Sequence, residues 1–267
     1  METVPELGLG TWRNTDPEKC RNSVEKALNI GYRHIDTAQH YHNEKYVGEG
    51  IKASKVDRED FFLASKVWTD RLSPGKVVES IEHSLERLGV DRIDLMYVHY
   101  PAGDYRPEET LKAFEKAVEK DLIGSIGLSN FLPGQVDEAI RIAGEHIVAH
   151  QFEMHPLLPQ DKLVENSVKH GIQPVAYSPL ARGEVFNIKE VQEVAEKHGV
   201  SEAQISLAWL NGKDVSAVPK ASTGEHLRDN LESQDLRLDE EDVEKIDSIE
   251  RKEKKVDPEY APWNNQA

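Results

Sequence analysis

Short apolar runs recur along the chain, each followed by a longer stretch in which apolar residues return every three or four positions. The runs fall at 33–36, 61–64, 93–98, 125–128, 148–152, 174–177 and 215–218, with a weaker one near 7–9. They show little polar alternation, so they predict strands buried on both faces. The stretches between them predict helices at 17–30, 74–88, 107–120, 133–143, 159–170, 188–198, 201–210, 224–231 and 239–249. The punctuation agrees. Asp16 and Pro17 suit a helix start and Gly31 its end, and Ser73-Pro74 and Gly89 bracket the second helix in the same way. Val77, Val78, Ile81, Leu85 and Leu88 share one face of that second helix.

Eight strands alternating with helices imply a parallel sheet covered by helices, because parallel neighbours need a crossover between them. Spacing does not separate a closed barrel from an open doubly wound sheet. Two observations favour the barrel. Gly8-Leu9-Gly10 runs on into Thr11-Trp12-Arg13 without the third glycine of a dinucleotide fingerprint. And nearly every run ends in a polar residue: Asp36, Lys66, His99, Ser129-Asn130, Gln151, Tyr177-Ser178 and Lys220. A barrel gathers side chains from many strand ends at one rim, whereas an open sheet concentrates them at one switch point. The expectation is an α/β chain of class (β/α)8, one TIM-barrel domain over 1–267 with an additional C-terminal helix.

Composition narrows the function. With 267 residues, 38% of them hydrophobic, the chain can build one substantial core. Its 33 basic and 49 acidic residues leave a net charge of −16, which repels phosphate backbones and argues against a nucleic-acid partner. The same charge reads as an acidic solubilising surface or as adaptation to high salt. No apolar run approaches the ~18 residues that cross a bilayer, and the start lacks a basic, apolar leader. A cytoplasmic, monomeric or weakly associating protein with no membrane partner is the expectation. Cys20 is the sole cysteine, which excludes an intramolecular disulfide and a cysteine-based zinc site.

If the barrel is right, Asp36, Tyr41, Lys66 and His99 face one cavity. A tyrosine near its ordinary pKa of ~10 is a poor acid at neutral pH. A neighbouring lysine ammonium, held in place by an aspartate, would favour the phenolate and make Tyr41 a general acid. His99 could then orient a carbonyl oxygen. Singly, each residue has a plainer reading: a loop cap, a surface lysine, a core histidine. Their joint placement at successive strand ends is what favours chemistry.

At these residues the chain resembles the aldo-keto reductases, in particular their small microbial members of the 2,5-diketo-gluconate and aldehyde reductase kind. Asp36-Thr37-Ala38-Gln39-His40-Tyr41-His42-Asn43-Glu44 is similar to that family's hallmark segment, and Ser65-Lys66-Val67-Trp68, His99-Tyr100-Pro101 and Gly127-Leu128-Ser129-Asn130-Phe131 follow in family order. So do Gln151-Phe152-Glu153-Met154-His155-Pro156, Ala176-Tyr177-Ser178-Pro179-Leu180 and Val218-Pro219-Lys220. The resemblance implies metal-free reduction of aldehyde or ketone carbonyls to alcohols by hydride from a nicotinamide cofactor, with Asp36, Tyr41, Lys66 and His99 catalytic and Tyr41 the proton donor. It implies that Ser129, Asn130 and Gln151 hold the nicotinamide carboxamide and that Tyr177 stacks on the ring. Gly10, Thr11, Ser178 and Leu180 would follow the ribose and pyrophosphate. Trp12, Trp68 and Tyr100 would line a pocket for a small carbonyl substrate.

The chain departs from the family pattern where a 2′-phosphate would bind. Lys220, Ser222 and Thr223 remain suitable, and Asp229 and Asn230 can meet the adenine. Ala221 replaces a serine, however, and His226 replaces an arginine, without its fixed charge and planar fork. NADP(H) is expected, with NAD(H) use also open. Tyr100 replaces a tryptophan and His150 an asparagine. The rival readings are a cofactor-sensing subunit without turnover and a metal-dependent barrel hydrolase using His40 and His42. Glu250 to Lys255 reads as a solvated helix end, and Tyr260, Pro262 and Trp263 as a segment that either folds over the barrel mouth or packs on the surface.

Overall fold

The computed structural model describes residues 3–264. Eight strands form one sheet in chain order: β1 (Leu9–Gly10), β2 (His34–Asp36), β3 (Phe62–Val67), β4 (Ile93–Val98), β5 (Ile123–Ser129), β6 (Ile147–Glu153), β7 (Gln173–Tyr177) and β8 (Ser216–Ala217). Every consecutive pair is parallel. Parallel bridges at Leu7–Ala217 and Gly10–Lys220 then join the last strand to the first, with the Gly8 amide donating to the Ala217 carbonyl at 2.9 Å. The sheet is therefore a (β/α)8 barrel, as the strand ends foretold.

The crossovers carry α1 (Pro17–Ile30), α2 (Glu44–Ala53), α3 (Pro74–Leu88), α4 (Pro107–Glu119), α5 (Pro133–Ala143), α6 (Asp161–Lys169), and the pair α7 (Lys189–His198) and α8 (Glu202–Asn211). After β8 come α9 (Gly224–Glu232) and the additional helix α10 (Glu240–Asp247). Capping follows the sequence. The Asp16 carboxylate accepts from the Lys19 amide, and Gly31 closes α1 at φ 120°. Two ends differ from expectation. Gln160 takes φ 54°, so α6 starts beyond Pro159. And α10 stops at Asp247, so the charged run from Glu250 to Lys255 is an irregular strap rather than a helix end.

Helix α2 has no counterpart among the expected helices. Its Gly48 and Gly50 weaken the helical pattern, yet packing requires both. A Cβ at Gly48 would lie 2.3 Å from the Leu88 carbonyl oxygen, and one at Gly50 2.6 Å from that of Arg21.

Most of the core lies between sheet and helices. A smaller cluster fills the barrel itself, with Phe62, Ala64, Leu95, Tyr97, Val175 and Val218. Gly127 makes room for the Tyr97 ring, since a Cβ there would meet its Cδ1 at 2.2 Å. Strand alternation carries this apolar plug upward into polar residues: Phe62 and Ala64 lead to Lys66, and Leu95 and Tyr97 lead to His99. The site rests on that plug.

Candidate active site

Asp36 ends β2, Lys66 lies one residue before the end of β3, and His99 follows β4 directly. Tyr41 closes a 3-10 turn, Gln39–Tyr41, after β2. The structure brings the four together. Lys66 is only 1% exposed, and its ammonium donates to Asp36 Oδ1 at 2.5 Å and to the Thr37 carbonyl at 2.9 Å. The other Asp36 oxygen accepts from Gln151 Nε2 at 2.8 Å. Lys66 Nζ stands 5.2 Å from the centre of the Tyr41 ring, and that ring meets His99 edge-on at 5.8 Å.

The electrostatics correct one expectation. Burial, and then the Asp36 and Tyr100 charges, hold the Tyr41 phenol well above its ordinary value. Any pull of the Lys66 ammonium is too small to reverse this. Burial also pulls Lys66 below the usual lysine value, against the opposing pull of Asp36. His99 is pushed well below 6.5 by burial, then by Lys66 and His40. At neutral pH the site holds a protonated phenol and a neutral imidazole, which are a proton donor and a hydrogen-bonding group.

Asp36, Tyr41 and His99 open onto a cavity of about 420 Å³. Gly10, Trp12, Trp68, Tyr100, Ser129, Asn130, Gln151, Tyr177, Ser178 and Lys220 also line it, all expected from sequence. The amide wall is tightly held. Asn130 Nδ2 donates to the His99 carbonyl and to Ser129 Oγ, each at 3.0 Å, and its Oδ1 accepts from the Tyr177 hydroxyl at 2.7 Å. Gly10 permits close approach, since a Cβ there would lie 2.5 Å from the Val218 carbonyl oxygen.

Other expected residues lie away from the lining. Thr11 is fully buried, its hydroxyl against the Asp36 carbonyl and Thr37. Leu180 is half-buried within the loop after β7. Thr223 caps α9 by accepting from the His226 amide, and His226 is exposed in that helix's first turn. Asp229 accepts from Ser201 Oγ at 2.7 Å, Asn230 is buried, and Ser222 sits at the surface, its Oγ 3.4 Å from Nζ of the cavity-lining Lys220. His40 stacks on Trp68 at 3.6 Å rather than joining a ligand set with His42. Among the described residues no group of three or more His, Cys, Asp or Glu has an arrangement suited to a metal.

Sequence reasoning missed Arg182, Glu153 and the part of the strap before Tyr260; of the two readings it left open for Tyr260, the one over the barrel mouth holds. Arg182 reaches the cavity and lies 4.8 Å over Trp12. The strap from Lys255 to Tyr260 forms the outer wall, with Tyr260 edge-on to both Trp68 and Tyr100. Glu153, two residues beyond Gln151, receives that strap. Alternation along β6 could have flagged Glu153; the late aromatics marked the end of the strap, but nothing local announced the stretch before Tyr260. The cavity suits a nicotinamide dinucleotide on its own features. It offers aromatic side chains, a wall of amides, and the cations Arg182 and Lys220, which have no carboxylate partner among the described residues.

The fold and this constellation define a barrel oxidoreductase that reduces carbonyl groups. The chain belongs to the aldo/keto reductase family, whose model matches residues 6–251. It is 37% identical to the methylglyoxal reductase DkgB of Salmonella typhi over 96% of this chain and 97% of that one. It is 36% identical to the glyoxal reductase of Bacillus subtilis, over 94% and 91% respectively. The aldose reductase of Schistosoma japonicum superposes with a TM-score of 0.93 at 30% identity, covering 100% of this chain and 97% of that one. As a family member it is an NAD(P)H-dependent reductase. No helix among the described residues is long and apolar enough to cross a membrane.

Proposed function

We propose that the chain reduces small aldehydes and ketones, short dicarbonyls above all, and prefers NADPH to NADH while accepting both. The buried Asp36–Lys66 pair beside Tyr41 carries this reading, because it puts a proton donor and a fixed positive charge where a carbonyl oxygen would gain charge. The names of two relatives, a methylglyoxal and a glyoxal reductase, support the short-dicarbonyl class.

The nicotinamide, when bound, supplies the hydride. Tyr41 Oη holds the proton and gives it to the carbonyl oxygen. Lys66 stabilises the phenolate left behind, and Asp36 keeps Lys66 charged and oriented. Neutral His99 hydrogen-bonds the same oxygen. Ser129, Asn130 and the Gln151 carbonyl orient the carboxamide. Tyr177 presents its ring to the nicotinamide, which fixes the reacting face. Gly10, Thr11, Ser178 and Leu180 follow the ribose and pyrophosphate, and Asp229 and Asn230 the adenine. Lys220, Ser222, Thr223 and His226 receive the 2′-phosphate. Trp12, Trp68 and Tyr100 exclude water from the bound substrate.

The test is oxidation of NADPH, and separately NADH, with methylglyoxal, glyoxal and aromatic aldehydes. Turnover is expected, faster with NADPH. Tyr41→Phe should lower kcat by ~100-fold or more while leaving cofactor affinity within about twofold, since only the acid is lost. Near-normal turnover by that variant would remove Tyr41 from its role. Cofactor binding without turnover on any carbonyl would instead support a sensing subunit.

A further inference from the structure

Glu153 lies at the end of β6, two residues past Gln151, and so projects to the same side of the strand. Gln151 serves the floor of the cavity by holding Asp36. Glu153 is 2% exposed, and its carboxylate faces outward to the strap. Oε1 accepts from the Lys255 amide at 2.6 Å and Oε2 from the Val256 amide at 3.0 Å. His155 Nε2 lies 3.0 Å from Oε1 and completes the set. The strap is in neither helix nor strand. Among the described residues, three backbone amides between 250 and 260 find acceptors: Glu253 bonds the Leu157 carbonyl, and the other two bond Glu153. Bonds to a buried carboxylate are the strong kind. Directly beyond them the strap supplies Asp257, Pro258 and Tyr260 to the cavity wall.

We propose that Glu153 is a positioning residue: it latches the strap across the barrel mouth, and the latched strap sets how tightly bulky aromatic carbonyl substrates bind. The inference rests on the reading that carbonyl substrates enter this cavity. A carboxylate offers an acceptor to each of the two amides. A glutamine offers one acceptor and turns its own N–H toward the second amide, so Glu153→Gln releases the latch with almost no change of volume. A small dicarbonyl does not reach Tyr260, and its reduction is unaffected. The cofactor amides and the Asp36–Lys66 pair stay as they are.

The experiment compares the full chain, Glu153→Gln, a chain ending at Glu250, and that shortened chain carrying Glu153→Gln. Each is assayed with NADPH and either methylglyoxal or 2-naphthaldehyde, and trypsin cleavage after Lys252, Lys254 and Lys255 is timed by mass spectrometry. Glu153→Gln should raise the KM for naphthaldehyde roughly tenfold, leave kcat and the methylglyoxal constants within about twofold, and speed strap cleavage. In the shortened chain, Glu153→Gln should add nothing further. An unchanged KM or an unchanged cleavage rate would overturn the latch. So would a Glu153→Gln effect that persists once the strap is gone. Should the full chain reduce neither carbonyl, the functional reading fails, while the cleavage rates still decide whether Glu153 holds the strap.

Discussion

Asp36 and Lys66 show why single residues in this site are costly to change. Lys66 is a cation at 1% exposure whose desolvation is offset by one carboxylate contact and one carbonyl. Removing one member of such a pair leaves the other charge uncompensated, at a cost of ~3–5 kcal/mol. Asp36→Asn should therefore lower stability by about that much in urea unfolding, and adding Lys66→Met should recover much of the loss. Additive losses would mean the charges do not depend on each other. Asp36, Lys66 and His99 were legible in the sequence because each ends an apolar run, and Tyr41 because it follows the first of them within the loop. Their protonation was not, since the direction of the Tyr41 shift depends on how dry the assembled site is. His226 is a second residue-scale question. It is exposed in the first turn of α9, near Lys220 in sequence. His226→Arg should tighten NADPH by several-fold in fluorescence titration and leave NADH nearly unchanged, since only one of them carries a phosphate for the fork. Equal tightening of both would place His226 away from the 2′-phosphate.

Among the elements, α2 shows where pattern reading stops. Strands and most helices were legible because apolar periodicity and capping agree locally. In α2, Gly48 and Gly50 lower local helix propensity to serve contacts made at long range, with Leu88 in α3 and Arg21 in α1. The strap's aromatic Tyr260 was legible as one of two alternatives, but its course was not, for a similar reason: it has no repeating hydrogen bonds of its own and takes its shape from Glu153, about a hundred residues earlier. Glycine substitutions separate propensity from packing. Gly48→Ala gains ~1 kcal/mol of helix propensity. It also drives a methyl onto the Leu88 carbonyl, and overpacking of this kind costs ~1–3 kcal/mol. The net effect should be a lower melting temperature. Gly75→Ala, in the first turn of α3 with nothing within 4 Å of the added carbon, should leave the melting temperature equal or higher. A Gly48→Ala protein as stable as the parent would show that α2 is free to shift away from α3.

Over the whole molecule, stability against acid depends on neutral groups as well as on the net charge of −16. His34 sits in the barrel edge-on to Phe62, and burial lowers it to about 4. His150, in β6 beside Ser167 Oγ, is lowered by burial to about 3. Each folded value lies below the ordinary 6.5, so the unfolded chain binds these protons first. Stability must then rise with pH across the window from about 4 to 6.5, and it is lost as pH falls through it. Between pH 7 and pH 5 each such histidine costs roughly 2 kcal/mol of folding stability. Carboxylate protonation works the other way over part of this range by relieving repulsion in an acidic chain, so the total slope does not isolate the histidines. A variant does. His150→Asn keeps a polar side chain of similar reach but has nothing to titrate. Urea unfolding of parent and variant at pH 7 and pH 5 should show the parent losing about 2 kcal/mol more than the variant. The variant's absolute stability at pH 7 is free to fall, because the comparison is between slopes. Equal losses in the two proteins would mean that His150 is protonated in the folded barrel, and hence that water reaches the face of β6 behind the Ser129–Asn130 wall.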